Sequence, residues 1–137
     1  MHTIYTLGTS TRSREEFVDL LKLYKIKLVV DVRRFPTSRW EHFKKKNFQF
    51  FLEKEDIGYL YLGGELGGYR RGGYQEHLQT DLFRQGIERL EKVASCLPTA
   101  VVCAEKLPWR CHRRFIGEEL RKRGWQVIHI IDKKRVW

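Results

Sequence analysis

Nothing in the 137 residues approaches a membrane span; a helix that crosses a bilayer needs about 20 consecutive apolar residues. The opening His2-Thr3-Ile4-Tyr5 carries no basic-plus-apolar leader pattern. The expectation is therefore a soluble cytoplasmic protein. Cysteine is scarce and odd in number: Cys96, Cys103 and Cys111. Three cysteines without a secretion signal do not make a disulfide framework, and no CxxC spacing suggests a zinc ribbon or a thioredoxin-like motif. The glycine spacing and lysine of a phosphate-binding P-loop are also missing. No internal repeat, linker or low-complexity tract divides the chain, so one domain over residues 1–137 is expected.

Acid is in short supply. Seventeen Asp and Glu face 27 Lys and Arg, a net charge of +10. A basic surface attracts polyanions, of which nucleic acid is the commonest in a cell. Hydrophobic residues reach 42% and aromatics 13%, enough for a packed core and against disorder.

Apolar patterning then sets the elements. Ile4–Leu7 reads as a strand. Ser13 and Glu16 form a capping box, after which Phe17, Leu20, Leu21 and Tyr24 recur at helical spacing. Lys27–Val32 is a β-branched run typical of a buried strand. A helix is expected over Lys44–Glu55, a strand over Ile57–Leu62 and a Gly/Tyr/Arg loop over Gly63–Tyr74. Further helices are expected over Thr80–Ser95 and Arg110–Arg123, and strands over Ala100–Cys103 and Gln126–Ile131. This alternation predicts a three-layer α/β/α domain with a mostly parallel sheet of about five strands.

In such a sheet all strands end on one edge, where ligands bind. Four connections gather there: Gly8–Arg12, Val32–His42, Gly63–Tyr74 and Cys103–Arg114. They hold nine of the 15 arginines but one of the 12 lysines. Guanidinium pairs with phosphate or carboxylate through two parallel N–H bonds, whereas ammonium is a hydrated point charge. The bias points to an anion site.

Within it, Thr9 and Ser10 offer hydroxyls before a helix. Arg33, Arg39, Arg70 and Arg113 would hold the anion, with Ser38, Gly67 and Gly68 in the same ligand-binding loops. Tyr69 or Tyr74, in a segment with six glycines in 12 residues, could stack on a base as part of a closing flap. Asp31, Glu105 and His112 are the candidate acid/base or orienting groups. Cys103 admits three readings: a low-pKa nucleophile, a metal or redox ligand with Cys111 and His112, or a buried thiol under the site. No cofactor is implied.

Four segments taken together resemble the domain of unknown function 488 family: Thr6-Leu7-Gly8-Thr9-Ser10-Thr11-Arg12-Ser13, Asp31-Val32-Arg33-Arg34-Phe35-Pro36-Thr37-Ser38-Arg39, Leu66-Gly67-Gly68, and Cys103-Ala104-Glu105 through Cys111-His112-Arg113-Arg114. The resemblance covers nearly the whole chain and falls in the same four loops. The family usually carries Gly-His-Ser in its first loop; Thr9 stands in place of that His here. The resemblance implies a shared site without supplying a reaction. The expected function is binding of a phosphate-bearing ligand, nucleic acid or nucleotide, with acid/base hydrolysis as an added capacity. The alternatives are a nucleic-acid-binding module without catalysis, or a thiol or metal protein built on Cys103, Cys111 and His112.

Overall fold

The computed structural model describes residues 2–137. Strand β1 (Thr3–Gly8) leads to helix α1 (Arg14–Leu23), whose first turn is capped by the Ser13 hydroxyl accepting from the Glu16 amide at 3.0 Å. Strand β2 (Leu28–Asp31) is followed by a short 3-10 turn (Glu41–Phe43) and helix α2 (Lys45–Lys54). Strand β3 (Gly58–Tyr61) runs into two one-turn helices, α3 (Gly63–Leu66) and α4 (Tyr74–His77), and then α5 (Asp81–Ala94). Strand β4 (Thr99–Cys103), a 3-10 turn (Pro108–Arg110), helix α6 (Arg113–Lys122) and strand β5 (Gln126–Ile130) complete the order.

The five strands form one parallel sheet in the order β3-β2-β4-β1-β5, as the alternation predicts. Side chains alternate across it. Val30 and Val101 join Leu66, Phe83, Ile87, Leu90, Ile116 and Leu120 in one buried cluster, under α3, α5 and α6. Val29 and Val102 join Phe17, Leu21, Phe48, Phe51 and Leu52 in the other, under α1 and α2. The second layer is tied by edge-to-face rings, with Phe17 at 5.3 Å from Phe43 and 5.4 Å from Phe48. The sheet is thus covered on both faces, the arrangement parallel strands require.

Two differences from the sequence reading bear on the site. The glycine-rich segment is not wholly loop. Its two one-turn helices are tied to each other by side-chain bonds: the Tyr74 hydroxyl donates to the Leu66 carbonyl at 2.7 Å, and the His77 ring bonds the Glu65 carbonyl at 2.6 Å. Helix α6 begins at Arg113 rather than Arg110. Pro108 opens a separate 3-10 turn, and Cys111 is extended (φ −126°, ψ 148°), which breaks the helix before His112. Among the described residues, no helix is long and apolar enough to cross a membrane.

Candidate functional site

Neighbouring strands β2 and β4 send their chains to opposite faces of the sheet. After β2 the chain passes to α2 on one face; after β4 it passes to α6 on the other. Connections that part in this way leave a crevice at the strand ends. A cleft of about 670 Å³ lies there, lined by residues from the β2 loop (Arg33, Arg34, Phe35, Thr37), the glycine segment (Gly68, Tyr69, Tyr74) and the β4 loop (Cys103 to Glu105, Arg110 to His112).

The first loop takes no part in this lining. The Thr9 amide donates to the Cys103 carbonyl and the Ser10 amide to the Ala104 carbonyl, both at 2.8 Å. Their N–H groups therefore fasten the β1 loop to the β4 loop. Thr9 is buried, and Arg12 is buried beside it, donating to the Gly8 and Ile131 carbonyls and pairing with Glu16.

Asp31 is fully buried and saturated. Arg33 grips it with two parallel bonds of 2.9 Å, the Arg33 amide donates at 3.1 Å, and the Tyr59 hydroxyl donates at 2.6 Å. The remaining Arg33 nitrogen Nη1 donates to the Phe43 carbonyl at 2.7 Å, and the guanidinium lies 5.1 Å from the centre of the Phe48 ring. This clamp fixes the direction in which the β2 loop leaves the sheet. Burial, followed by the Asp31 charge, pushes the Tyr59 hydroxyl well above its ordinary range, so it remains a donor.

Arg70 is similarly committed, donating to the carbonyls of Gly63, Gly64 and Gly67. Ser38 accepts from the Trp40 amide, and Ser38 and Arg39 lie outside the cleft lining. Gly67 is packed against the Arg34 backbone and Cβ, where an added Cβ would come within 2.7 Å of both. Gly68 passes over the His112 ring, 3.1 Å from Nδ1 for such a Cβ.

His112 lies in the cleft wall. Its Nε2 is 3.3 Å from the Val32 carbonyl, and its ring centre is 5.1 Å from that of Tyr74. Burial, with lesser contributions from the charges of Arg113 and Arg70, pulls its pKa down to about 4. The ring is neutral at pH 7. The contact with the Val32 carbonyl assigns the proton to Nε2, leaving Nδ1 unprotonated 3.6 Å from the Cys111 sulfur, whose one hydrogen goes to Cys103. Glu105 is exposed at the rim and accepts from the Leu107 amide at 3.3 Å.

Cys103 and Cys111 form part of the cleft floor, and Arg113 sits beneath them. The two sulfurs are 2.7 Å apart and both cysteines are free. Arg113 is wholly buried. Its Nη2 donates to the Lys106 carbonyl at 2.7 Å, while Nε and Nη1 have no partner. It does not line the cleft but charges its floor from below. Burial pushes the Cys103 thiol up, but the Cys111 hydrogen bond and the Arg113 charge outweigh it and bring the thiol below its ordinary value. The Cys111 thiol goes the other way, raised by the hydrogen bond to Cys103 and by burial. Among the described residues, no group of three or more His, Cys, Asp or Glu is placed to hold a metal ion.

The family model for the domain of unknown function DUF488 matches residues 13–120, which takes in the β2 loop, the glycine segment and the β4 loop. The chain belongs to the DUF488 family. No curated protein and no solved structure matches it. The DUF488 match runs through every residue that lines the cleft.

The cleft also brings in residues that the sequence reading did not place among its candidates. In the sequence Arg34 stands out only within the Asp31–Arg39 segment of the resemblance, and Arg110 only within the arginine excess. Among the described residues, neither side chain is engaged in a hydrogen bond or an ion pair. Arg34 leans on the Phe35 ring, 5.7 Å from its centre, and Phe35 and Tyr69 face each other at 6.2 Å across the rim.

Proposed function

We propose that the cleft between the β2 and β4 loops binds a phosphate-bearing ligand, a nucleotide or an unpaired stretch of nucleic acid. The observation that carries this reading is the pairing of two uncommitted guanidinium groups, Arg34 and Arg110, with two exposed aromatic rings in one cleft. Phe35 is 61% exposed and Tyr69 88% exposed. Aromatic faces at the edge of a basic groove offer stacking to bases, while guanidinium groups follow the phosphates. The Arg113 charge beneath the floor adds to the positive potential. Acid/base chemistry on such a ligand would fall to Glu105 and the neutral His112, because Asp31 is consumed by Arg33 and Tyr59.

The test is titration of a labelled single-stranded oligonucleotide at several salt concentrations, with a mononucleotide as competitor. Affinity falls as salt rises, and Arg34→Ala and Arg110→Ala each weaken binding and reduce the salt slope by about 1. Full competition by the mononucleotide identifies a nucleotide site; competition only by oligonucleotide identifies a nucleic-acid site. Binding that neither substitution alters, or that ignores salt, overturns the proposal.

A further inference from the structure

Three arginines are almost fully buried: Arg12, Arg33 and Arg113. Arg12 is paired with Glu16 and Arg33 with Asp31. Arg113 has no carboxylate partner among the described residues, and two of its three guanidinium nitrogens are unpartnered. A buried charge without a counter-charge is costly. The Arg113 charge is felt by both Cys103 and Cys111, whose sulfurs lie 2.7 Å apart. The Arg113 amide also donates to the Cys111 sulfur at 3.5 Å.

This forms a directed chain. The Arg113 amide donates to Cys111, Cys111 donates its thiol hydrogen to Cys103, and Cys103 as a thiol donates onward to the Glu105 carbonyl at 3.6 Å. On ionisation Cys103 gives up the proton it directs at Glu105 and takes the charge, while Cys111 keeps its own. The opposite pKa directions of the two thiols agree with this division. Both cysteines line the cleft, yet Cys103 is 1% exposed and Cys111 9% exposed. A bulky protein disulfide cannot reach them, whereas a molecule near the size of water can.

We propose that Cys103 and Cys111 are a redox couple oxidised by a small hydroperoxide, with Cys103 as the attacking thiolate and Cys111 as the resolving thiol. In the first step the Cys103 sulfur attacks the terminal peroxide oxygen. An S–O bond forms, the O–O bond breaks, and the leaving oxygen takes a proton from solvent to depart as an alcohol, or as water from hydrogen peroxide. Cys103 becomes a sulfenic acid. In the second step the Cys111 sulfur attacks Cys103. The S–S bond forms, the S–O bond breaks, and the hydroxyl leaves with the Cys111 proton as water. Two thiols are oxidised by two electrons and one hydroperoxide is reduced. The sulfurs need to close by only a fraction of an ångström, and the β4 loop that joins them is short. Cys96 is exposed, donates to the Lys92 carbonyl and stands outside the cleft, so it serves as an internal control.

The experiment treats the reduced, folded chain with equimolar hydrogen peroxide, then counts thiols after denaturation and maps cross-linked peptides. The expected result is the loss of two of the three thiols, a mass lower by two hydrogen atoms, and a Cys103–Cys111 peptide with Cys96 still free. In Cys111→Ser, which removes the resolving sulfur, a sulfenic-acid trap such as dimedone, added after peroxide as the chain is denatured, labels Cys103. Three surviving thiols, first oxidation at Cys96, or a trap adduct on Cys96 in the variant would each overturn the proposal. The wild-type thiol count stands even if the variant folds poorly.

Discussion

Gly8 lies directly under the Glu105 carbonyl: a Cβ placed on Gly8 would fall 2.0 Å from that oxygen and 2.6 Å from its carbon. Both atoms belong to backbone that the Thr9 and Ser10 amides hold in place, so neither can swing aside. Gly8→Ala must push the Cys103–Lys106 segment off the β1 loop. Overpacking of this kind costs about 1–3 kcal/mol, read as a lower urea midpoint. The displaced segment carries Cys103, so peroxide oxidation of the thiol pair slows in the same variant. Unchanged stability would show that the two loops are less tightly joined than described.

The buried clamp on Asp31 gives a graded pair of outcomes. Asp31→Asn leaves the Arg33 guanidinium buried with no counter-charge, and removing one partner of a buried pair costs about 3–5 kcal/mol. Tyr59→Phe deletes one hydrogen bond to the carboxylate, worth about 1.5–3 kcal/mol. Chemical denaturation should therefore rank Asp31→Asn well below Tyr59→Phe, with wild type above both. The reverse order would mean that the ion pair is not what holds the β2 loop.

Acid should weaken the fold before the carboxylates titrate. Burial holds both His112 and His129 neutral in the folded chain down to about pH 4, whereas an unfolded histidine protonates near 6.5. Between those values the unfolded chain binds more protons than the folded one, so stability falls as pH falls. It is fully present above about pH 7 and its loss levels off near pH 4. Each ring withdraws on the order of 3 kcal/mol across that window. Urea midpoints from pH 8 to pH 4 measure the decline. His112→Asn should remove about half of the histidine share, and an unchanged decline in that variant would remove His112 from this account.

The aromatic rim makes a prediction separate from the arginines. Tyr69→Ala or Phe35→Ala should weaken single-stranded oligonucleotide binding by about 1–3 kcal/mol, the size of one lost base stack. The salt slope should stay at its wild-type value, since no phosphate contact is lost. Fluorescence titration at two salt concentrations separates the two effects. A rim substitution that changes the slope and not the affinity at low salt would argue against stacking.

The strands and long helices were legible in the chain because their apolar residues recur with the right period. Val29 and Val30 point to opposite clusters as alternation demands, and Phe17, Leu20 and Leu21 share one helical face. Helices α3 and α4 were not legible. Each is one turn long, and the bonds that hold them run from the Tyr74, His77 and Arg70 side chains to backbone carbonyls 3 to 12 residues back, with no apolar period to announce them. The excess of arginine over lysine at the strand ends points to the edge of the sheet where the cleft lies. Which arginines remain free was not legible. Arg12 and Arg70 are absorbed by backbone carbonyls and Arg33 by Asp31 and Phe43, whereas Arg34 and Arg110 are left open. That division depends on where carbonyl groups fall in three dimensions, about which residue type carries no information.

Strand β4 is the third of five and is hydrogen-bonded along both sides, with Val102 set between Leu7 of β1 and Asp31 of β2. A strand in that position opens only when the whole sheet opens, whereas loops with few buried contacts open locally at little cost. Amide hydrogens of Val101 and Val102 should then exchange at the rate of global unfolding, and those around Tyr69 far faster. The cleft therefore joins two clocks: its floor keeps the time of the entire fold, and its rim keeps its own.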